Sequence, residues 1–252
     1  MPIVLFPTVA FFGLLVGSFL NVVAYRVPRR ESLVTPGSHC PSCDMPLKPW
    51  DNIPVLSWLL LSGRCRGCRE PIARRYPLVE AMTAVLFGAV AVVHLHDTPR
   101  LVLGIVLVAF LVPIALIDLD HKLIPNRLTA PAAILAIVLG TALDPGGEVG
   151  RLIAGLAAAT ALAVPSLLHP SGMGMGDAKL VGVLGLFLGQ AIVPAFFVAF
   201  VAGTALGIAI ILRKGMSEGR RTKIPFGPFL ALGGVVGVLA GSELVSLYLG
   251  TF

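Results

Sequence analysis

The chain has 252 residues, of which 56% are hydrophobic and only 13% charged, and its mean hydropathy is +0.92. Soluble domains carry about 25% charged residues, so the composition excludes an ordinary soluble globule and points to a polytopic membrane protein. The net charge of +6 does not indicate nucleic acid as a partner, because the basic residues cluster in loops between apolar spans, where they act as topology signals.

Stretches apolar enough to cross a hydrocarbon core of about 30 Å predict helices, in chain order, over 3–25, 78–96, 101–118, 128–143, 151–168, 178–190, 191–212 and 228–249. The fold class is an all-α membrane bundle of about eight transmembrane helices with a small cytoplasmic loop domain. The first stretch lacks a basic segment ahead of it and is long, so it reads as a retained helix and not a cleaved signal peptide. The sixth is short and is separated from the seventh only by Gly189-Gln190, which makes seven spans the competing count. With eight, loops 26–77, 119–127, 169–177 and 213–227 share one face. All 19 Lys and Arg residues except Arg100 and Arg151 lie in these loops or, for Lys179, just beyond one. Basic loops stay in the cytoplasm, so both termini are placed outside. No internal repeat and no low-complexity segment is read.

Cys40-Pro-Ser-Cys43 and Cys65-Arg-Gly-Cys68 sit in the first loop. Two such turns present four thiolates to one ion and satisfy tetrahedral zinc, leaving no open position for catalysis. The alternatives are a redox dithiol or unliganded thiols. Disulfides are disfavoured in a cytoplasmic loop.

Asp118 ends an apolar run and Asp177 follows the turn Gly174-Met175-Gly176. Ionisable groups at membrane depth are costly and usually functional. A carboxylate at a helix C-terminus is opposed by the helix dipole, so a merely solvated Asp118 is a weak alternative. Asp177 has a better structural alternative as a first-turn carboxylate. Two carboxylates brought together share a proton, and such a pair can activate water and protonate a leaving group. Gly172, Gly174 and Gly176 allow unusual backbone angles and close approach of a peptide. Lys179 either orients the site or marks the membrane boundary. Asp120 reads as a bystander. Gly17, Ser18 and Asn21 read as polar glue between helices. Glu80 reads as arginine-paired or functional. Residues 224–229 read as a rigid turn, and His94, His96 and Asp97 as solvated groups in an outer loop. The sequence holds no Walker A motif, serine elbow or HExxH.

Taken together, GSFLNVVAYRVP at 17–28, the paired CxxC turns with DNIPVLSWLLLSGRC between them, YPLVEAMTAVLF at 76–87, IDLDHKLIPNRLT at 117–129, GMGDAKL at 174–180 and IPFGPFLALG at 224–233 resemble the type IV prepilin peptidases, leader peptidase/N-methyltransferases of the GxGD aspartic protease class. The resemblance runs in order over almost the whole chain. It implies an inner-membrane aspartic protease that cleaves the leaders of prepilins and pseudopilins, partners of type IV pili or type II secretion, after a glycine on the cytoplasmic side. Asp118 and Asp177 match the family's catalytic aspartates. The cysteine loop implies N-methylation with S-adenosylmethionine, although no residues read from the sequence as a methyl-donor site. Residues 1–25 are expected as a first span, 26–77 as the zinc-binding loop and implied methyltransferase region, and 78–252 as the peptidase bundle in contact with lipid. The competing classes are a peptidase lacking methyltransferase activity, a transporter with a zinc-stapled loop, and a non-enzymatic assembly factor.

Overall fold

In a bilayer every backbone N–H and C=O must be paired within the chain, which apolar runs of this length achieve as helices. The computed structural model describes residues 2–168, 174–216 and 224–250, with side chains from Leu5 onward. Its helices are α1 (Pro2–Arg29), the short α2 (Leu56–Leu60), α3 (Arg75–Val93), α4 (Thr98–His121), α5 (Asn126–Leu143), α6 (Pro145–Leu168), α7 (Met175–Leu188), α8 (Ile192–Lys214) and α9 (Gly227–Leu249). No strand longer than an isolated bridge occurs among the described residues. The chain divides into two compact units, Met1–Leu95 and His96–Phe252.

Among the described residues seven stretches are long and apolar enough to cross a membrane, and the longest runs from Met175 to Lys214 over 40 residues. It is not one helix. A 3₁₀ turn at Gly189–Ala191 interrupts it, and Gly189 supplies a positive φ of 57° that other residues adopt at a cost. Along α9 the contacts then run in opposite senses. Gly234 faces Leu184 and Gly237 faces Leu188, whereas Gly233 faces Ala199 and Gly241 faces Ala191. The α7 and α8 helices are therefore antiparallel, and the eight long helices follow the expected order. At 14 residues, α7 is only about 21 Å long.

In the first unit α1 packs on α3 through small residues. A Cβ on Gly13 or Gly17 would lie 2.8 Å from the Cα of Ala84 or Glu80. Asn21 joins the same seam, donating its amide to the Tyr76 carbonyl at 3.2 Å. The sequence reading grouped α3 with the bundle, but its packing partner here is α1. His94 is buried in this unit and not solvated, because it falls one residue past the end of α3 on the turn that closes it.

In the second unit α4 supplies the centre, with Leu107, Leu111, Ile114 and Ile117 fully buried. It packs against α5, α7 and α9, while α6 packs on α7 and α8 on α9. At the far end Arg151 bridges Asp144 at 2.6 Å and Glu148 at 2.9 Å and donates to the Gly140 carbonyl at 3.1 Å. The Arg151 hydrogen bond holds the Asp144 carboxyl below the usual carboxylate range. Asp97 caps α4, accepting from the Arg100 amide at 3.0 Å.

The α6–α7 seam makes a checkable demand. A Cβ on Gly185 would stand 2.6 Å from the Cα of Gly155, and a helix backbone cannot yield as a side chain does. Gly185→Leu should cost about 1–3 kcal/mol by overpacking, read as a lower melting temperature in detergent. An unchanged melting temperature would mean that the helices are not so closely packed.

Candidate active site and metal centre

The loop of the first unit is built from two copies of one turn. In the first, the Cys40 amide donates to the Met45 carbonyl at 3.0 Å and the Asp44 amide to the Cys40 carbonyl at 2.9 Å. In the second, the Cys65 amide donates to Glu70 at 2.8 Å and the Arg69 amide to Cys65 at 3.1 Å. Bridges His39–Pro46 and Arg64–Pro71 close both turns, and Asp44 and Arg69 take the same left-handed φ, 55° and 61°. This is an internal repeat, CPSCDMPL against CRGCREPI, that the sequence reading did not recognise. Its signal was there in the shared spacing C-x-x-C-x-x-P followed by an apolar residue.

The repeat brings all four Sγ atoms within 4.8 Å of one another. Cys40 and Cys68 are 3.8 Å apart, and Cys43 and Cys65 are 4.0 Å apart. A tetrahedral ion with bonds of about 2.3 Å sets sulfurs roughly 3.8 Å apart, so the cluster fits zinc, and the separations are far longer than a disulfide. Among the described residues this is the one cluster with metal-ligand geometry. Amides of Ser42 and Cys43 draw the Cys40 thiol down to about 6. At Cys68 the Glu70 amide pulls the same way, but burial and the three neighbouring thiols outweigh it and push the thiol up to about 12. Four thiolates repel in this space unless a cation sits among them. Beside the second turn, Arg66 grips Asp51 through Nε at 2.8 Å and a terminal nitrogen at 2.6 Å. This pairing holds the Asp51 carboxyl below its ordinary range.

Among the described residues Glu80 meets the loop backbone and no arginine. Its carboxylate accepts the Val55 amide at 2.6 Å and so fastens the loop to α3. Val55 has a φ of 61°, an uncommon conformation for a β-branched residue.

In the second unit Asp118 occupies the last turn of α4, and its side chain is buried. Asp177 occupies the first turn of α7, close enough for the two carboxylates to act on one another electrostatically. The Gly227 amide, at the start of α9, donates to Asp118 Oδ2 at 2.7 Å. Lys179 donates from Nζ to Asn126 Oδ1 at 3.0 Å and so ties the start of α7 to the start of α5. Gly174 is an extended N-cap with φ −78°, so unusual backbone angles are not its reason for being glycine. Gly176 does need close approach, since a Cβ there would stand 3.1 Å from Ile124 Cβ. Gly172 lies outside the described residues.

Two family models match the chain. The Bacterial Peptidase A24 N-terminal domain covers residues 11–94 and the Type IV leader peptidase family covers residues 105–208. The Prepilin leader peptidase/N-methyltransferase of Aeromonas hydrophila is 37% identical, with 100% of this chain and 96% of that protein aligned. The proteins of the same name from Pseudomonas aeruginosa and Neisseria gonorrhoeae are 36% and 38% identical over 94% and 90% of this chain and 91% and 88% of their own lengths.

The chain belongs to the prepilin leader peptidase/N-methyltransferase family.

No solved structure matches it. Within this leader peptidase, the N-terminal family model falls inside the first unit and the peptidase model inside the second. Gly227 is the residue that sequence reasoning missed. It was read as part of a rigid turn, and nothing local in IPFGPF announces a partner 109 positions away. A Cβ on Gly227 would stand 2.7 Å from Asp118 Oδ2 and 3.0 Å from its Cγ. Gly227→Ala should therefore push the carboxylate aside and lower the kcat for leader cleavage by about a hundredfold, the scale of a 1 Å misplacement. Wild-type kcat in a folded Gly227→Ala protein would remove this contact from the site.

Proposed function

We propose that this chain cleaves the leader of prepilin and pseudopilin proteins as an aspartic protease and then methylates the new N-terminal amine. One observation carries the reading. The buried Asp118 and the partly buried Asp177 converge at one end of a helix bundle, in a chain aligned along its length with relatives named for both activities.

The mechanism follows from two carboxyls sharing one proton. The ionised member accepts a proton from water as the oxygen attacks the scissile carbonyl. The protonated member then donates to the leaving amide nitrogen, and the peptide bond breaks to an acid and a free amine. The Gly227 N–H stabilises a charged Asp118 and fixes its direction. For the second step S-adenosylmethionine supplies an electrophilic methyl group. The chain's part is to present the freed α-amine unprotonated, so cleavage must precede methylation at that nitrogen.

Zinc, held by Cys40, Cys43, Cys65 and Cys68, is structural in this reading. It shapes the loop and takes no part in bond breaking. The enzyme sits in the bacterial inner membrane with its aspartates facing the cytoplasm. The concentration of basic residues in one set of loops, with only Arg100 and Arg151 on the other side, supports this orientation, and nucleic acid is not a partner. A transporter would need charges near the bilayer midplane, whereas both aspartates are at helix ends.

The test is to incubate purified protein with a prepilin and labelled methyl donor, then analyse the product N-terminus by mass spectrometry. The expected product is shortened and carries about one methyl group, a gain of about 14 Da. Cleavage without the methyl would leave a peptidase alone, and absence of both would overturn the reading.

A further inference from the structure

Residues 52–63, NIPVLSWLLLSG, carry no charge, in the middle of a loop rich in arginine. An apolar stretch of about 10–14 residues is too short to span a bilayer and is either buried core or a segment lying at the membrane interface. Burial is excluded here. Leu56, Leu59 and Leu60 of α2 are 49%, 59% and 75% exposed. The opposite side of α2 is held by Trp58, whose Nε1 donates to the Ile72 carbonyl at 3.1 Å. The three leucines are thus the outward face of a fixed turn.

The depth of that turn follows from α3. This helix has 19 residues, about 28 Å, and needs its whole length to cross a hydrocarbon layer of about 30 Å. Arg75, its first residue, therefore marks the boundary, and Glu80 lies about 7 Å further in. Glu80 accepts the amide of Val55 at 2.6 Å, and Val55 is the residue from which α2 starts. A helical side chain leans back toward the start of its helix, so α2 rides at the edge of the hydrocarbon layer and not above it. The other wall agrees. Asn52 and Pro54 line one cavity with Leu15 and Phe19, which belong to the membrane-crossing stretch of α1.

We propose that residues 52–63 lie in the leaflet on their own side of the bilayer, with Leu56, Leu59 and Leu60 against lipid acyl chains. The leucine face continues the lipid-facing surface of α1 and α3, where Phe19 and Leu78 are also exposed. Backbone at this depth must be paired within the chain, and it is. Besides Val55, the Ser57 and Leu59 amides donate to Ile53 and Val55 at 3.1 Å, and the Gly63 amide to Trp58 at 2.8 Å. The ends carry interface residues. Trp50 is half exposed with the Lys48 ammonium 5.3 Å from its ring centre, and Arg64 follows the stretch. Aromatic rings and basic side chains of this kind settle at headgroup level. The two cysteine turns flank the segment, so the bilayer moors the metal-binding loop at the membrane surface. This contact stands whichever chemistry the loop serves.

The experiment uses full-length, zinc-loaded protein in nanodiscs. p-Benzoylphenylalanine is placed at Leu60, irradiated, and its adducts are weighed by mass spectrometry. The expected adduct is one phospholipid joined through an acyl chain. It should be about tenfold or more abundant than from the same label at Ser42, an exposed residue of the first cysteine turn, the factor that separates a leucine-sized side chain in lipid from one in water. Lipid adduct no greater at Leu60 than at Ser42 overturns the proposal. So does a crosslink to a second copy, or to added prepilin, in place of lipid, since α2 would then be a protein-docking surface. If the labelled protein loses its zinc, Leu56 takes the label and the same outcomes decide. Wild type adds a readout that needs no substitution. The chain has two tryptophans, Trp50 and Trp58, both on or beside this segment. Lipids brominated on the upper acyl carbons should quench their emission, and equal emission in brominated and plain nanodiscs would overturn the membrane contact.

Discussion

Asp118→Ala and Asp177→Ala should each lower prepilin cleavage by about a thousandfold or more, within the range for loss of a general acid or base. The loss should be in kcat, since neither carboxyl is proposed to hold the substrate. Asp118→Asn is the sharper test. The amide oxygen still accepts the Gly227 N–H, whose 2.7 Å bond sets the side chain's direction, but the group no longer exchanges a proton. It should be as inactive as the alanine variant while melting closer to wild type. Asp120→Ala removes an exposed carboxylate two residues on and should be mild. Separable chemistry adds a second readout. Asp177→Ala should leave an uncleaved prepilin unmethylated yet still methylate a supplied mature pilin. Near-normal cleavage by a folded Asp118 or Asp177 variant would remove that residue from the mechanism.

The next largest effect is expected at the cysteines. Wild type should carry about one zinc per chain. Binding of structural zinc to small zinc-finger sites is worth about 10–16 kcal/mol of apparent folding free energy, far more than residues 30–74 can gather otherwise, since among them only Cys40, Asp51, Gly63 and Cys65 are buried. Cys40→Ser and Cys65→Ser should therefore release the metal and open the loop to protease. Methylation should fail, and cleavage, placed in the other unit, should persist. A protein that is free of metal and still has a protease-resistant loop would refute the structural zinc.

Most of the architecture was legible because the forces behind it act locally. A span advertises itself by its own apolar length, and a knuckle by four residues. The eight helices and the gathering of Cys40, Cys43, Cys65 and Cys68 followed from such signals. What stayed hidden depends on residues far apart in sequence. Gly227 meets Asp118, Glu80 caps the Val55 amide, and Arg151 collects Asp144 and Glu148 beneath Gly140. Arg151 was read only as a charge on the outer side, and its three partners were not foreseen. The buried His94 and the doubled cysteine turn were misread for another reason. Polar loop composition suggests solvation and irregularity, yet a closing turn can bury a ring and two unlike tetrapeptides can share one backbone path.

The shortness of α7 reaches beyond the bundle. Its 14 residues reach about 21 Å where a bilayer's hydrocarbon layer is about 30 Å. Other helices surround α7, with Ala178, Leu180–Gly185 and Phe187 buried, so polar surroundings must come in to meet an end that its longer neighbours overreach. That end carries Asp177. In the proposed mechanism the shortness of this helix acts as a reagent supply: its start is exposed at Gly174 and Met175, so water reaches Asp177 without a pore cut through the helices.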